Sequence, residues 1–453
     1  MVVPILVAQN YLRPHLTTDY TVLQGNIIFI KQEGLDYLMK KYQRARRRIT
    51  RDRMERELKR NALYSDYDNF NKVITMQHMC ESLKKCRRNV NWKGAIQDYT
   101  AHAIERMYTS YTSLHENKFP NSVSAHHMIL NERGKLREIV PITIYDRIIQ
   151  RVLCDYSLVP TFKNGLIYDN CASLQGKGVK FARDRIMNHL RCAIKKYGSD
   201  FYILTFDFKD FFGSIQHSLC LNELNKIFND ERIKRLTMTI IESYERAEIK
   251  LIPDISLRGD LLRRLDSNIS QGLCLGSQVS QIMALAAPNM LDHFIKDKCA
   301  IKYYVRYMDD GIIISNSKKY LQSLLLEIKV ICNQLGLVLN EKKTKISKSS
   351  KGFTFLKIRY RVMPTGKVIY KLTREGIVRM RRKLKRLRRL VDNKTIDLDD
   401  VYNSMQSWLA YSSAAMSYQS KRNMLKLYNQ LFNGYRITKK WKYMEGGRSS
   451  ELL

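Results

Sequence analysis

No two cysteines of this 453-residue chain stand in a CxxC pair, and the nine present, among them Cys80, Cys154, Cys274 and Cys332, are scattered and odd in number. That pattern argues against a disulfide framework and against a zinc knuckle, and it fits a reducing cytosol. Long apolar runs are missing as well. None approaches the ~20 residues that a membrane-spanning helix requires, so no membrane partner is expected. The apolar start, Met1-Val-Val-Pro-Ile-Leu-Val-Ala8, is short and has no positive flank, unlike a signal peptide. A cytoplasmic location is the expectation. There is no internal repeat. Acids are scarce: 43 Asp and Glu face 79 Lys and Arg, a formal net charge of +36. A chain this basic repels itself unless a polyanion lies close by. The charge runs along the whole length and not in one tail, which favours extended nucleic-acid grooves over a polybasic membrane anchor. The hydrophobic share, 44%, is that of an ordinary globular protein and permits a large core.

Several stretches have clear periodicity. Ile27-Ile-Phe-Ile30 reads as a short strand, and residues 34–63 carry helical spacing through Leu35, Leu38, Met39, Tyr42, Met54, Leu58 and Ala62. The basic run Arg44–Arg53 within it is either a solvated helix face or a face turned to nucleic acid. Residues 76–200 are mostly helical, with a hairpin expected around Asn131-Glu-Arg-Gly134. His126-His127 has no partner at metal-ligand spacing and reads as structural. The strongest strand signals are Phe201-Tyr-Ile-Leu-Thr-Phe-Asp207 and Tyr303–Ser315, rich in β-branched and aromatic residues. Helical stretches are expected around 219–245 and at about 279–296, with an irregular polar segment at 247–270 between them. Beyond residue 365 the chain turns helical and basic. Met380, Leu384, Leu387 and Leu390 form one apolar stripe with Lys and Arg on the other faces.

The chemistry is carried by acids. Tyr307-Met308-Asp309-Asp310 sets two carboxylates side by side between apolar strand residues. Burying both is costly unless a cation compensates. Alone, the pair is also compatible with an ordinary Asp-Asp turn. A third acid, Asp207, ends a strand about a hundred residues earlier. Three such carboxylates can hold two Mg²⁺ ions, which prefer hard oxygen ligands. Paired ions stabilise the attacking and the leaving oxygens of an in-line phosphoryl transfer.

In this setting Tyr307–Asp310 resembles the catalytic hairpin of reverse transcriptases, and Asp207-Phe-Lys-Asp-Phe-Phe-Gly-Ser-Ile215 is similar to the family's first catalytic motif. The resemblance extends over about residues 78 to 430. It implies Asp207, Asp309 and Asp310 as catalytic metal ligands for two Mg²⁺ ions, with the Phe208 carbonyl as a further ligand and Mn²⁺ as a substitute. It places Phe212 at the gate under the incoming sugar, with a core role as the competing reading. Gly272–Gln281 resembles the loop-helix that lies against the template and nascent base pair. Gln278 is then expected at the dNTP, and Gly276, Ser280, Gln281, Tyr307 and Met308 at template or primer. Lys135 and Arg137 match residues that grip the triphosphate. Asp146-Arg-Ile-Ile-Gln150 is also similar to the family and is expected to position rather than react. Lys343, in Leu339–Lys345, is the better aligned candidate for protonating pyrophosphate, with Lys342 adjacent. Gly352–Leu356 resembles the turn that grips the primer, but Lys357 stands where the family usually has Gly.

The implied architecture is α+β, a right-hand polymerase. Residues 1–75 form a basic N-terminal extension and 76–200 the fingers. Residues 201–365 form a palm with a ferredoxin-like antiparallel sheet and an insertion at about 247–270, and 366–453 a helical basic thumb and short tail. The implied activity is RNA-directed DNA synthesis from dNTPs, with an RNA template, a DNA primer or product, and a homo-oligomer or partner protein left open. Leu275–Gln281, Cys171–Gly178 and Ser407-Trp408 look like enzymes of diversity-generating retroelements and related bacterial lineages. No nuclease, integrase or RNase H unit accompanies the polymerase motifs. With the N-terminal extension, that favours antiphage defence with a non-coding RNA over diversification. Rival readings are a catalytically inactive nucleic-acid binder, a protein-primed or untemplated DNA polymerase, and an RNA-directed RNA polymerase, against which Phe212 speaks.

Overall fold

A computed structural model describes residues 65–118, 141–251 and 270–436, without the side chains of 243–251, and the main chain of 21–23, 27–29, 128–132 and 135–139. The chain divides into two units, Met1–Asp66 and Tyr67–Leu453. In the first, β1 (Thr21–Leu23) pairs antiparallel with β2 (Ile27–Phe29), Val22 opposite Ile28. The helix expected over 34–63, the basic run Arg44–Arg53, His126-His127 and the tail lie outside the described residues.

In the second unit β3 (Met128–Glu132) and β4 (Lys135–Ile139) form an antiparallel hairpin. Asn131 and Glu132, assigned to the turn by their sequence, belong to β3, with Glu132 opposite Lys135. The sheet that matters most contains β5 (Tyr202–Asp207), β6 (Tyr304–Tyr307), β7 (Asp310–Ser315) and β8 (Lys345–Lys348), in the order β6-β7-β5-β8 and antiparallel throughout. Helices intervene between β5 and β6, and the helix Lys318–Gln334 connects β7 to β8. This is a β-α-β-β-α-β sheet of split βαβ type. Period-2 alternation feeds two cores. Leu204, Phe206, Tyr304 and Ile313 join a core shared with Leu321, Leu324 and Ile328 of the Lys318–Gln334 helix. Ile203, Val305, Ile312 and Ile314 join a core with Ala182, Ile186 and Leu190 of the helix Val179–Tyr197. The β6 edge is not left open: Asn170 bridges Arg306 in parallel, with Cys171 N donating to Arg306 O at 2.9 Å.

Two expected helices are interrupted. The 219–245 stretch is His217–Asn225 followed by Glu231–Leu251. The 279–296 stretch divides into Gln278–Ala286 and Asn289–His293, broken at Pro288, whose nitrogen has no proton to continue the ladder. A second sheet, β9 (Phe353–Phe355), β10 (Ile358–Val362) and β11 (Val368–Leu372), lies in the order β11-β10-β9. Its first turn bears on the missing glycine at 357: Leu356 and Lys357 both adopt positive φ, 46° and 64°. Without glycine that costs ~1–2 kcal/mol per residue. Arg183 offsets it by donating Nη2 to Leu356 O at 2.9 Å, and Tyr411 Oη donates to Lys357 O at 3.2 Å. Three helices close the described chain: Arg374–Asp392, Leu398–Ser412 and Tyr418–Phe432. They share a core of Met380, Leu384, Met405, Leu425 and Tyr428. The apolar stripe continues through Leu387 to Val391, so Val391 takes the packing place expected of Leu390. No described helix is long and apolar enough to cross a membrane.

One glycine is fixed by packing rather than by φ. Gly311, opposite Phe206 in the β5–β7 ladder, lies under the Phe206 ring, and a Cβ there would fall inside that ring. Gly311→Ala should therefore lower stability by about 1–3 kcal/mol or more, through forced displacement of Phe206 or the hairpin. Thermal or urea denaturation measures this directly, and an unchanged melting curve contradicts the packing.

Candidate active site

The β5–β7 register sets Asp207 directly opposite Asp310, the last residue of one strand facing the first of the other. Between β6 and β7 only Met308 and Asp309 remain to turn the chain, because Tyr307 pairs with Asp310. Met308 takes φ 52°, a conformation that favours Gly or Asn. The Phe208 amide donates to the Asp309 carbonyl at 3.3 Å, joining the turn to the end of β5. Its side chain is buried in the core.

Asp207 is 4% exposed and surrounded by partners. Lys343 Nζ donates to its Oδ2 at 2.7 Å, Asn340 Nδ2 to its Oδ1 at 3.3 Å, and Asn340 N to its main-chain carbonyl at 2.7 Å. Of the two adjacent lysines, Lys343 makes this contact. Burial opposes its charged form. The hydrogen bond to Asp207 and the charges of Asp207, Asp310 and Asp309 outweigh that and raise its pKa. Asp310 has the opposite problem. Burial, then the Asp309 and Asp207 carboxylates, push its pKa up to about 7, against the pull of Lys343.

The turn is braced from below by residues that the sequence reading did not single out. Arg306 and Asp292 form an ion pair with neither side chain exposed. Arg306 Nε lies 2.8 Å from Asp292 Oδ1 and Nη2 2.7 Å from Oδ2, while Tyr304 Oη donates to Oδ1 at 2.7 Å. The remaining arm, Nη1, donates to the Met308 carbonyl at 3.0 Å. A guanidinium fork can hold a carboxylate through two nitrogens and reach a carbonyl with the third, a span that the single nitrogen of an ammonium lacks. The signal was present as a charged residue inside an apolar strand and an acid inside an apolar helix, but neither names its partner. Asn340 was likewise missed.

The other expected residues are distributed as follows. Gln150 Oε1 accepts from Ser277 Oγ at 3.0 Å and from Gln278 N at 3.2 Å, fixing the start of the Gln278–Ala286 helix. The Gln278 side chain points to Asp155 at 3.4 Å, which also binds Lys85 and Arg151. Gly276 has φ 122° and is exposed, as is Gln281. Ser280 is fully buried, with no hydrogen-bond partner for its Oγ, so no template contact is open to its side chain. Tyr307 and Met308 are half-buried beside the carboxylates. Phe212 is half-buried and packs edge-to-face on buried Phe211 at 5.6 Å. Lys135 and Arg137 lie on β4, where only the main chain is described.

The donor set suits a hard divalent cation: carboxylate and carbonyl oxygens crowded together, with burial first and the neighbouring Asp309 and Asp207 carboxylates next raising the pKa of Asp310. The fit is one of chemistry and register, not a finished cage. Among the described residues no three His, Cys, Asp or Glu side chains are grouped to hold an ion as they stand. The Lys343 ammonium occupies one Asp207 oxygen.

The family model for reverse transcriptase (RNA-dependent DNA polymerase) matches residues 117–360, more than half of the chain, and spans this whole constellation. The chain belongs to the reverse transcriptase family. Its matched domain is that of an RNA-directed DNA polymerase, a nucleotidyltransferase, and the family uses divalent metal ions. No curated protein matches the chain. Among solved structures, apo telomerase from Candida tropicalis, truncated from its C-terminal domain, is similar at 15% identity and a TM-score of 0.39, over 54% of each chain. The present reverse transcriptase thus spans about half the length of that protein. Telomerase from Candida albicans, in complex with a fragment of telomeric RNA, is similar at 11% identity and a TM-score of 0.37, over 76% of this chain and 68% of that one.

Two outcomes follow. An aspartate in the unfolded chain titrates near 3.8, so the folded reverse transcriptase holds the Asp310 proton more tightly. Asp310 then costs stability increasingly as pH rises from about 4 to about 7, and fully above that. In chelator at pH 8, Asp310→Asn should melt about 2 °C or more above wild type, with a narrower gap at pH 5. Equal gaps would exclude charge repulsion as the source. Arg306→Lys keeps the charge but not the fork. Assayed well below its melting temperature, it should lose about tenfold to a hundredfold in kcat. A wild-type kcat would show that the turn does not need the guanidinium.

Proposed function

We propose that this reverse transcriptase extends a primer with dNTPs on an RNA template, with Asp207, Asp309, Asp310 and the Phe208 carbonyl as ligands of two Mg²⁺ ions, Mn²⁺ being able to substitute. The observation that carries the proposal is the strand register that sets Asp207 opposite Asp310 beside the Asp309 turn. When bound, the ions would supply charge neutralisation at the attacking and leaving oxygens. The chain's own residues do the rest. In the ion-free state Lys343 and the Asp310 proton relieve the carboxylate repulsion. On triphosphate binding the Lys343 ammonium, a proton donor beside Asp207, protonates the departing pyrophosphate. Lys135 and Arg137 grip the triphosphate, Arg by bidentate contacts. Phe212, two residues beyond the exposed Asp210, blocks the space a ribose 2′-hydroxyl needs. Gln278, whose side chain meets Asp155 in the free protein, turns to the nucleotide when it binds. Gly276, Gln281, Tyr307 and Met308 line the template and primer.

The β5–β8 sheet serves as palm, the helices preceding it with the β3–β4 hairpin as fingers, and the three C-terminal helices as thumb. The thumb carries a basic groove lined by Arg381, Arg382, Lys385 and Lys426, suited to sequence-independent phosphate contacts. A role in antiphage defence with a dedicated non-coding RNA rests on family analogy, with diversity generation as the alternative.

Primer extension on an RNA template with dNTPs and Mg²⁺ tests the proposal. Asp309→Asn should lower incorporation by about two orders of magnitude or more while leaving the melting temperature close to wild type. Equal, trace incorporation by both proteins would point instead to a catalytically inactive binder.

A further inference from the structure

The segment that carries Phe212 is fastened along its length to residues 270–273. Leu273 N donates to Phe212 O at 2.8 Å, Gly272 N to Ile215 O at 2.8 Å, and His217 N to Ser270 O at 2.9 Å. Gln216 and Gln271 form an antiparallel bridge. These are main-chain contacts that many sequences could make. The side chain of His217 adds something more specific. The residue is 3% exposed and opens the helix His217–Asn225. Its Nε2 lies 2.8 Å from the Gly272 carbonyl and its Nδ1 2.6 Å from Ser270 Oγ. A carbonyl can only accept, so Nε2 carries a proton and donates, and in the neutral ring Ser270 Oγ donates to Nδ1. The two ring nitrogens thus tie both ends of 270–272, and the next residue, Leu273, holds the carbonyl of Phe212. Gly272 has φ 107°, a conformation that other residues rarely adopt, and its carbonyl is aimed at the ring by that turn.

We infer that His217 is a positioning residue for sugar discrimination: through the Ser270–Leu273 segment it fixes the main chain under Phe212, so that the gate ring cannot yield to a 2′-hydroxyl. The inference rests on the reading of Phe212 as the gate. A ring discriminates by steric exclusion only if the backbone beneath it resists displacement. Phe212 itself is only half-buried: its ring packs on Phe211, and its main-chain carbonyl is bonded to Leu273 N. His217 does not touch the nucleotide in this account, and acts only through Phe212.

The test is the ratio of kcat/KM for a dNTP to that for the matching rNTP, on one RNA template and primer. The ratio does not depend on the fraction of active protein, so a partly unfolded variant cannot mimic the effect. Phe212→Val should lower the ratio most. His217→Ala should lower it by on the order of fivefold, the fold-change that one hydrogen bond of about 1 kcal/mol represents. His217→Gln, whose amide nitrogen can donate to the Gly272 carbonyl, should return most of the loss. Should His217→Ala fail to fold, Ser270→Ala, which removes the Nδ1 partner, reads the same ratio and should shift it in the same direction. If Phe212→Val leaves the ratio unchanged, the gate reading fails and this inference with it. If Phe212→Val relaxes selection while the His217 and Ser270 variants keep the wild-type ratio, the gate stands and the role of His217 is overturned.

Discussion

Carboxylates cannot be gathered at the end of a buried strand pair unless a proton, an ammonium or a metal ion stands among them. The centre of this reverse transcriptase is built around that constraint. The β5–β7 register places Asp207 opposite Asp310, and the chain cannot separate them without slipping a strand, which would turn every core residue of the sheet to the wrong face. Repulsion is therefore a permanent property of the site. It is relieved in the ion-free molecule by Lys343 on Asp207 and by a proton held on Asp310. Both are displaceable, which is what the proposed binding of divalent ions at this site requires.

Holding charges at such a site needs a frame that does not relax. The sheet is covered on both faces by separate cores, and its β6 edge is closed by Asp169–Cys171. Two polar knots sit behind the hairpin. One is the Arg306–Asp292–Tyr304 group, with an arm on the Met308 carbonyl. The other is Asp169, bound by Arg185 at 2.6 Å, Lys296 at 2.7 Å and His189 at 3.2 Å. Although burial opposes its charge, the His189, Arg185 and Lys296 hydrogen bonds hold its carboxyl well below the usual range. Breaking a buried pair of this kind costs ~3–5 kcal/mol. Such groups specify one geometry more than they add stability, and here the geometry is that of a turn with a non-glycine residue at positive φ.

The same logic recurs at the first turn of the second sheet. Leu356 and Lys357, neither of them glycine, leave a two-residue turn in a costly conformation, and Arg183 and Tyr411, from two different helices, hold it there. The helical C-terminal unit is thereby linked to the small second sheet by the Tyr411 hydroxyl and by Met416 N, which donates to Tyr370 O at 2.8 Å, as well as by packing.

The strands around Asp207 and Asp309 were legible because β-branched and aromatic residues alternate there, and the apolar stripe of the last basic helix was legible up to Leu387. The breaks at Lys226–Asp230 and at Pro288 blurred into longer helices, since hydrophobic spacing continues across them. The sequence by itself determined the basic character, the absence of a cysteine framework, the reverse transcriptase motifs and the acids at strand ends, all of which are local in the chain. Only the tertiary structure decided that Arg306 reaches Asp292 and Met308, that Asn340 and Lys343 close on Asp207, that Ser280 is buried, and that His217 ties down the segment bonded to Phe212. Those contacts join residues from 2 to 136 positions apart, and side-chain pairing across such distances leaves no period in one sequence to read.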